Sequence, residues 1–174
     1  MAAGALRQFL SDVDWGELDY LIFDMPPGTG DIQLTLTQTL PLTGAVIVTT
    51  PQDLALEDAR KGLKMFERVQ VPVLGIIENM SYFVAPDTGT RYDIFATGGG
   101  RKAADEMGVP FLGEIPLTIA TRISGDVGHP IVLSDPESEQ ARTIREVARQ
   151  LAAQISIANM TTPTTGPEIV LGGQ

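Results

Sequence analysis

Apolar positions change their period several times along the chain, and each change predicts an element. Leu6, Phe9, Leu10 and Val13 fall at i, i+3, i+4 and i+7, the spacing of a short amphipathic helix. "YLIFD", Tyr20 to Asp24, is a continuous apolar run closed by an acid, which predicts a strand buried on both faces. Asp31 can cap a helix carrying Ile32, Leu36 and Leu40. "AVIVTT", Ala45 to Thr50, predicts a second buried strand. From Asp53 or a neighbour, a helix puts Ala59, Leu63, Phe66 and Val69 on one face. "VPVLGII", Val71 to Ile77, predicts a third strand running into Glu78 and Asn79.

The pattern then changes. In "SYFVAPDTGTRYDIF" two aromatic-rich runs flank Pro86, Asp87, Thr88 and Gly89, a hairpin signal. "GGGRKAADEMG" predicts a glycine-led helix stopped at Gly108. "VPFLGEIP" predicts a fourth short strand. Asp135 and Pro136 open a last helix presenting Ala141, Ile144, Val147, Ala148, Leu151 and Ile155. From about Asn159 the chain is rich in Thr, Pro and Gly, which predicts a flexible tail. The expected organisation is one domain over 1–158, with a hairpin insertion at about 81–95, and a tail over 159–174.

Buried strands alternating with helices predict an α/β fold: a mainly parallel sheet flanked by helices. Ligands of such sheets bind beyond the carboxyl ends of the strands. That directs attention to Asp24–Asp31, Thr49–Asp53 and Glu78–Ser81. Composition narrows the chemistry. Of the 174 residues, 43% are hydrophobic and 20% charged, the balance of an ordinary globular domain. A net charge of −10 argues against nucleic acid or an anionic membrane as partner. There is no cysteine, so neither disulfides nor thiolate-held clusters can form within the chain. No run approaches the roughly 20 apolar residues of a membrane span, and the expected location is the cytoplasm.

"LIFDMPPGTGD", Leu21 to Asp31, carries the most specific chemistry. A carboxylate at the end of a buried strand needs a partner, and a hydrated Mg²⁺ beside a nucleotide triphosphate is one. The glycines after it would let backbone approach a γ-phosphate and move when it leaves. The same residues fit equally a strand end and a turn that caps the next helix.

Four stretches together, "LDYLIFDMPPGTGDIQLTL", "VIVTTPQDLALEDARKGL", "GIIENMSYF" and "DIFATGGG", resemble the Mrp family. Its members are ParA/MinD-type P-loop ATPases that carry and deliver iron–sulfur clusters. The resemblance runs from about Gly4 to Leu133 and on through the last helix. It implies a P-loop NTPase-like fold with ATP and Mg²⁺ as cofactors. Asp24 would be the Walker B acid, holding Mg²⁺ through water. Gly28, Thr29, Gly30 and Asp31 would form the switch near the γ-phosphate. Asn79 would hydrogen-bond the adenine, with backbone around Pro116 closing on the base. In the intact protein, ATP would bridge a homodimer, and hydrolysis would couple to cluster delivery to apoprotein clients.

Two departures qualify this. No G-x-x-x-x-G-K-[ST] phosphate loop occurs in the 174 residues, so the chain resembles the family's C-terminal portion, an incomplete P-loop domain. The family's C-x-x-C pair falls at Ala85 and Thr88, which cannot ligate iron as thiolates do. The chain by itself is therefore expected to lack ATPase activity and cluster binding. The rival reading is a non-catalytic scaffold or dimerisation module of the same descent. A membrane- or DNA-positioning ATPase is disfavoured by the acidic composition. The remaining candidates have plainer readings. His129 is a loop residue before a proline, Asp126 forms a turn, and Gly98–Gly100 allow close packing or a flexible joint rather than anion binding. Tyr82, Phe83, Tyr92 and Phe95 pack the hairpin or line a partner surface.

Overall fold

The structure is a computed structural model that describes residues 13–25, 37, 40 and 42–161. Ala45–Thr49 forms β1, with Ala45, Ile47 and Thr49 buried and Val48 exposed. Its valines and isoleucine suit a pleated surface, and the period-2 burial shows one well-covered face. Helix α1, Asp53–Arg68, follows. Asp53 in its first turn and Arg68 in its last complement the helix dipole. Its inward stripe is Leu56, Ala59, Leu63 and Met65. Phe66 and Val69, expected on that stripe, are half-buried.

Strand β2, Val73–Val84, is the centre of the sheet and longer than the sequence predicts. It continues through Asn79 into the first arm of the hairpin. β1 pairs with it in parallel, from Ala45 opposite Val73 to Thr49 opposite Glu78. The short strand β3, Arg91–Tyr92, returns antiparallel, with Tyr92 opposite Phe83. Helix α2, Gly99–Met107, ends at Gly108 in the left-handed conformation, φ +66°, as its glycine stop predicts. β4, Phe111–Leu117, pairs with β2 in parallel. Helix α5, Glu139–Thr161, closes the described chain.

One face of the sheet carries α1 and α2. There Ile47, Leu56, Ala59, Leu63, Ile76, Ala103 and Ala104 form the core, with Ile76 fully buried. On the other face, Val147 of α5 lies where a side chain on Gly113 would need to be. Two short helices between β4 and α5 escape the sequence pattern: α3, Ile119–Asp126, and α4, Ile131–Ser134. The apolar positions of α3, Ile119 and Ile123, are exposed, so no buried stripe marks the helix. Its start is set locally, by the Thr118 hydroxyl accepting the Thr121 N–H at 3.2 Å. Asp126 ends α3 and pairs with Arg122 at 2.8 Å, rather than shaping a turn alone.

One expected strand is absent. Tyr20–Asp24 forms no regular element, and Tyr20, Leu21, Ile22 and Asp24 are exposed, Ile22 at 81%. A strand exists only through ladder hydrogen bonds. Among the described residues β1 pairs with β2 alone, and no strand lies beside this run. The helix expected at Leu6–Val13 lies outside the described residues except for Val13, which is exposed. The helix expected from Asp31 also lies outside them, apart from Leu40 and the helical Thr37. At the other end α5 carries Asn159 and Met160 as helix, and the rest of the tail lies outside the described residues.

Candidate functional site

Parallel pairing brings the ends of β1, β2 and β4 to one edge. Thr49 stands opposite Glu78, and Glu78 in turn opposite Glu114. Asn79 stands opposite Ile115, one residue from Pro116. The expected base-reading residues, Asn79 and Pro116, are thus brought together. Pro116 is buried, and its carbonyl accepts from Gln140 Nε2 of α5 at 3.1 Å. Asn79 is half-buried, and its Oδ1 accepts from the N–H of Met80 at 3.0 Å. Gln140, only 5% exposed, was not singled out from the sequence. A polar residue beside Ala141 in the first turn of a long helix carries no distinguishing signal. Its Oε1 is buried without a protein partner.

The most constrained side chain on this edge is Glu78, also fully buried. Its Oε2 accepts from the N–H of Gly100 at 2.5 Å, and its Oε1 accepts from the Ser81 hydroxyl at 2.5 Å. Gly99 and Gly100 therefore pack closely, whereas Gly98 has open space around it and caps α2 in the left-handed conformation, φ +66°. A Cβ on Gly100 would stand 2.9 Å from Glu78 Oε2, and one on Gly99 would stand 2.7 Å from the Pro51 carbonyl. The Gly100 N–H at the start of α2 is already taken by the protein's own side chain.

The hairpin stands beyond this edge. Its turn is closed by Gly89 N–H to the Ala85 carbonyl at 2.8 Å and Ala85 N–H to the Thr90 carbonyl at 2.9 Å. Thr88 Oγ1 accepts from the Thr90 N–H at 3.3 Å. The hydroxyl at the second expected cysteine position is engaged in the turn, and Ala85 offers no donor atom. Neither position presents a thiolate to an iron–sulfur cluster. The Arg91 guanidinium lies 3.9 Å from the centre of the Tyr82 ring and 3.0 Å from Asp93. Hydrogen bonds from Arg91 and then Thr97 hold the Asp93 carboxyl below its usual range. The Arg91–Asp93 bond likewise raises the arginine. Phe83 and Tyr82 are half-buried, whereas Tyr92 and Phe95 are exposed. His129 is an exposed loop residue.

The phosphate side is different. Asp24 is exposed and on no strand, and Gly28, Thr29, Gly30 and Asp31 lie outside the described residues. Among the described residues no three His, Cys, Asp or Glu side chains cluster to hold a metal ion. No described helix is long and apolar enough to cross a membrane. Asn79, Pro116 and Gln140 lie together at the carboxyl edge of the sheet.

A parallel sheet flanked by helices, with this polar carboxyl edge, defines a P-loop NTPase-like α/β domain. The solved structures agree. A nucleotide-binding protein of Archaeoglobus fulgidus in complex with ADP shares 41% identity and a TM-score of 0.68, over 79% of this chain and 56% of that one. MinD of Pyrococcus horikoshii with Mg-ADP, at 22% identity and a TM-score of 0.66, shares the fold over 90% of this chain and 58% of its own. The chain belongs to the ParA family of NUBPL iron-transfer P-loop NTPases, whose pattern matches residues 1–152. The iron-sulfur cluster carrier protein of Deinococcus radiodurans is 59% identical over 160 residues, 92% of this chain and 45% of the relative. That of Escherichia coli K12 is 54% identical over 89% of this chain and 42% of the relative. The iron-sulfur cluster transfer protein NUBPL of Mus musculus is 46% identical over 89% and 49%. The chain thus spans about half the length of the curated relatives it matches.

Proposed function

We propose that this chain is the base-reading and hairpin-bearing part of a nucleotide-dependent iron–sulfur cluster carrier. The observation that carries the reading is the pairing of Asn79 with Ile115, beside the Pro116 carbonyl held by Gln140. Asn79 offers an amide that can both donate to and accept from an adenine edge, and backbone at Pro116 flanks it. Asp24 would meet Mg²⁺ through water, and Gly28, Thr29, Gly30 and Asp31 would follow the γ-phosphate. The nucleotide and its Mg²⁺ would supply the energy of cluster delivery. The whole protein would act as a cytoplasmic homodimer serving apoprotein clients, with the cluster as cargo.

By itself the chain binds ATP weakly and does not hydrolyse it. Phosphoryl transfer depends on positioning and charge stabilisation by loop amides, a lysine and Mg²⁺. No phosphate-loop motif occurs here to supply the first two. Each hydrogen bond to a charged oxygen is typically worth about 1.5–3 kcal/mol. Lacking two or three of them takes a micromolar site to millimolar or weaker. The test is saturation-transfer NMR with millimolar Mg-ATP, beside a phosphate-release assay. Transfer to the adenine protons, lost in Asn79→Ala, with release no faster than buffer, is the expected result. Micromolar binding, Asp24-dependent turnover, or transfer indifferent to Asn79→Ala would overturn it.

A second reading, a non-catalytic scaffold or dimerisation module, is favoured by one observation. Ala85 offers no ligand, and the Thr88 hydroxyl is engaged by the Thr90 N–H. A chain showing no adenine transfer at all would support it.

A further inference from the structure

Strand β2 does not run straight into the hairpin. Met80 sits at φ +54°, in the left-handed region that a non-glycine side chain enters only at a cost. The register between β2 and β4 breaks between Asn79 and Phe83. In an unbroken strand, side chains three residues apart point to opposite faces. Here Ser81 reaches Glu78 with its hydroxyl. The kink has turned the outer half of β2, bringing Ser81 to the side on which α2 packs. The other carboxylate oxygen of Glu78 is held by the Gly100 N–H, the second residue of α2. A fully buried carboxylate is costly unless its oxygens are bonded. Both are bonded here, one to Ser81 just past the bend and one to the start of α2. Strain at Met80 and a buried acid two residues before it are two local costs set side by side.

We propose that Glu78 is a positioning residue. Its carboxylate clamps the Asn79–Ser81 kink to the start of α2 and so sets the angle at which the hairpin stands over the carboxyl edge. Asn79 and the hairpin then move as one body with α2. That a base at Asn79 and a client at the hairpin are coupled through this clamp rests on the function proposed above; the clamp itself does not.

Amide hydrogen exchange by NMR on the 174-residue chain, without nucleotide, tests it. In Glu78→Ala, exchange at Gly100 and at the hairpin amides of Phe83, Ala85 and Tyr92 should quicken about tenfold or more, as loss of a charged hydrogen bond implies. The core amides of Ile47 and Ile76 should hold their rates. Glu78→Gln keeps one acceptor and the side-chain length, and should restore most of the protection. Ser81→Ala should loosen the hairpin alone, and it decides the matter if Glu78→Ala does not fold. Unchanged hairpin amides, or hairpin and core quickening by one common factor, would overturn the proposal. If ATP shows no saturation transfer while this exchange pattern holds, the clamp stands and the nucleotide reading falls.

Discussion

The same substitution at two glycines should move stability in opposite directions. Gly62 lies inside α1, and a Cβ built there meets nothing within 4 Å. Replacing it with alanine removes backbone freedom from the unfolded chain and adds helix propensity, together worth about 1 kcal/mol. Gly99 is the first residue of α2, and its Cβ would stand 2.7 Å from the Pro51 carbonyl and 2.9 Å from Leu56 Cδ1. Leu56 can rotate away, but the contact at Pro51 is with backbone of a fully buried residue just after β1, which cannot. Overpacking of this kind costs about 1–3 kcal/mol. The propensity gain offsets at most about 1 kcal/mol, because a first-turn position benefits less than a helix interior. Taking the middle of the overpacking range and a partial offset leaves a net loss of about 1–2 kcal/mol. For a domain of this size each kcal/mol moves Tm by about 2–4 °C. Gly62→Ala should therefore raise Tm by about 2–4 °C, and Gly99→Ala should lower it by about 2–8 °C. Urea unfolding with unchanged m-values would show that the native state, not its compactness, had shifted. A Gly99→Ala protein as stable as the parent would refute the reasoning. It would mean that α2 does not press on the end of β1, and that the glycine run has some other purpose.

Further outcomes follow from the hairpin. Because the folded Asp93 carboxyl is held below its usual range, its stabilisation is complete above about pH 4 and is lost as pH falls through the folded value. The Tyr82 ring signal, shaped by the stacked Arg91, should change in that acid window and become flat there in Asp93→Asn; a parent signal that ignores acid would refute the link. Anaerobic reconstitution of the chain should yield no visible absorption and no stoichiometric iron, and a stable brown species would refute the reading of Ala85 and Thr88. The paired Ala85→Cys and Thr88→Cys variant should gain absorption if two hairpins meet across a dimer.

Most of the fold was legible because its signals are local. The run at Ala45–Thr49, the stripe of α1, the glycine stop of α2 and the hairpin turn at Pro86–Gly89 each follow from a few neighbouring residues. Tyr20–Asp24 shows the limit of that reasoning. Its composition is that of a buried strand, but burial and hydrogen bonding come from neighbours that the run does not encode. Helix α3 failed in the opposite sense, because its apolar side chains face outward and mark no core. The family's motif pointed to Asn79 and Pro116. Gln140, which holds the Pro116 carbonyl across the sheet, had no local signal. Glu78 lay within a stretch marked for attention, yet only its contacts with Ser81 and Gly100 show what it holds.

Those contacts also bear on the glycine triplet as an anion site. A helix start attracts anions because its first N–H groups lack partners. At α2 one of those donors already meets the Glu78 carboxylate, inside the protein. A bound phosphate would have to displace a buried acid whose other oxygen holds Ser81. Displacement would leave Glu78 partly unsatisfied and would release the bend at Met80. At this edge Asn79 and Pro116 present polar groups, while one donor at the start of α2, the Gly100 N–H, is taken by the protein's own Glu78. A phosphate at the Gly100 N–H would compete with Glu78 for that donor.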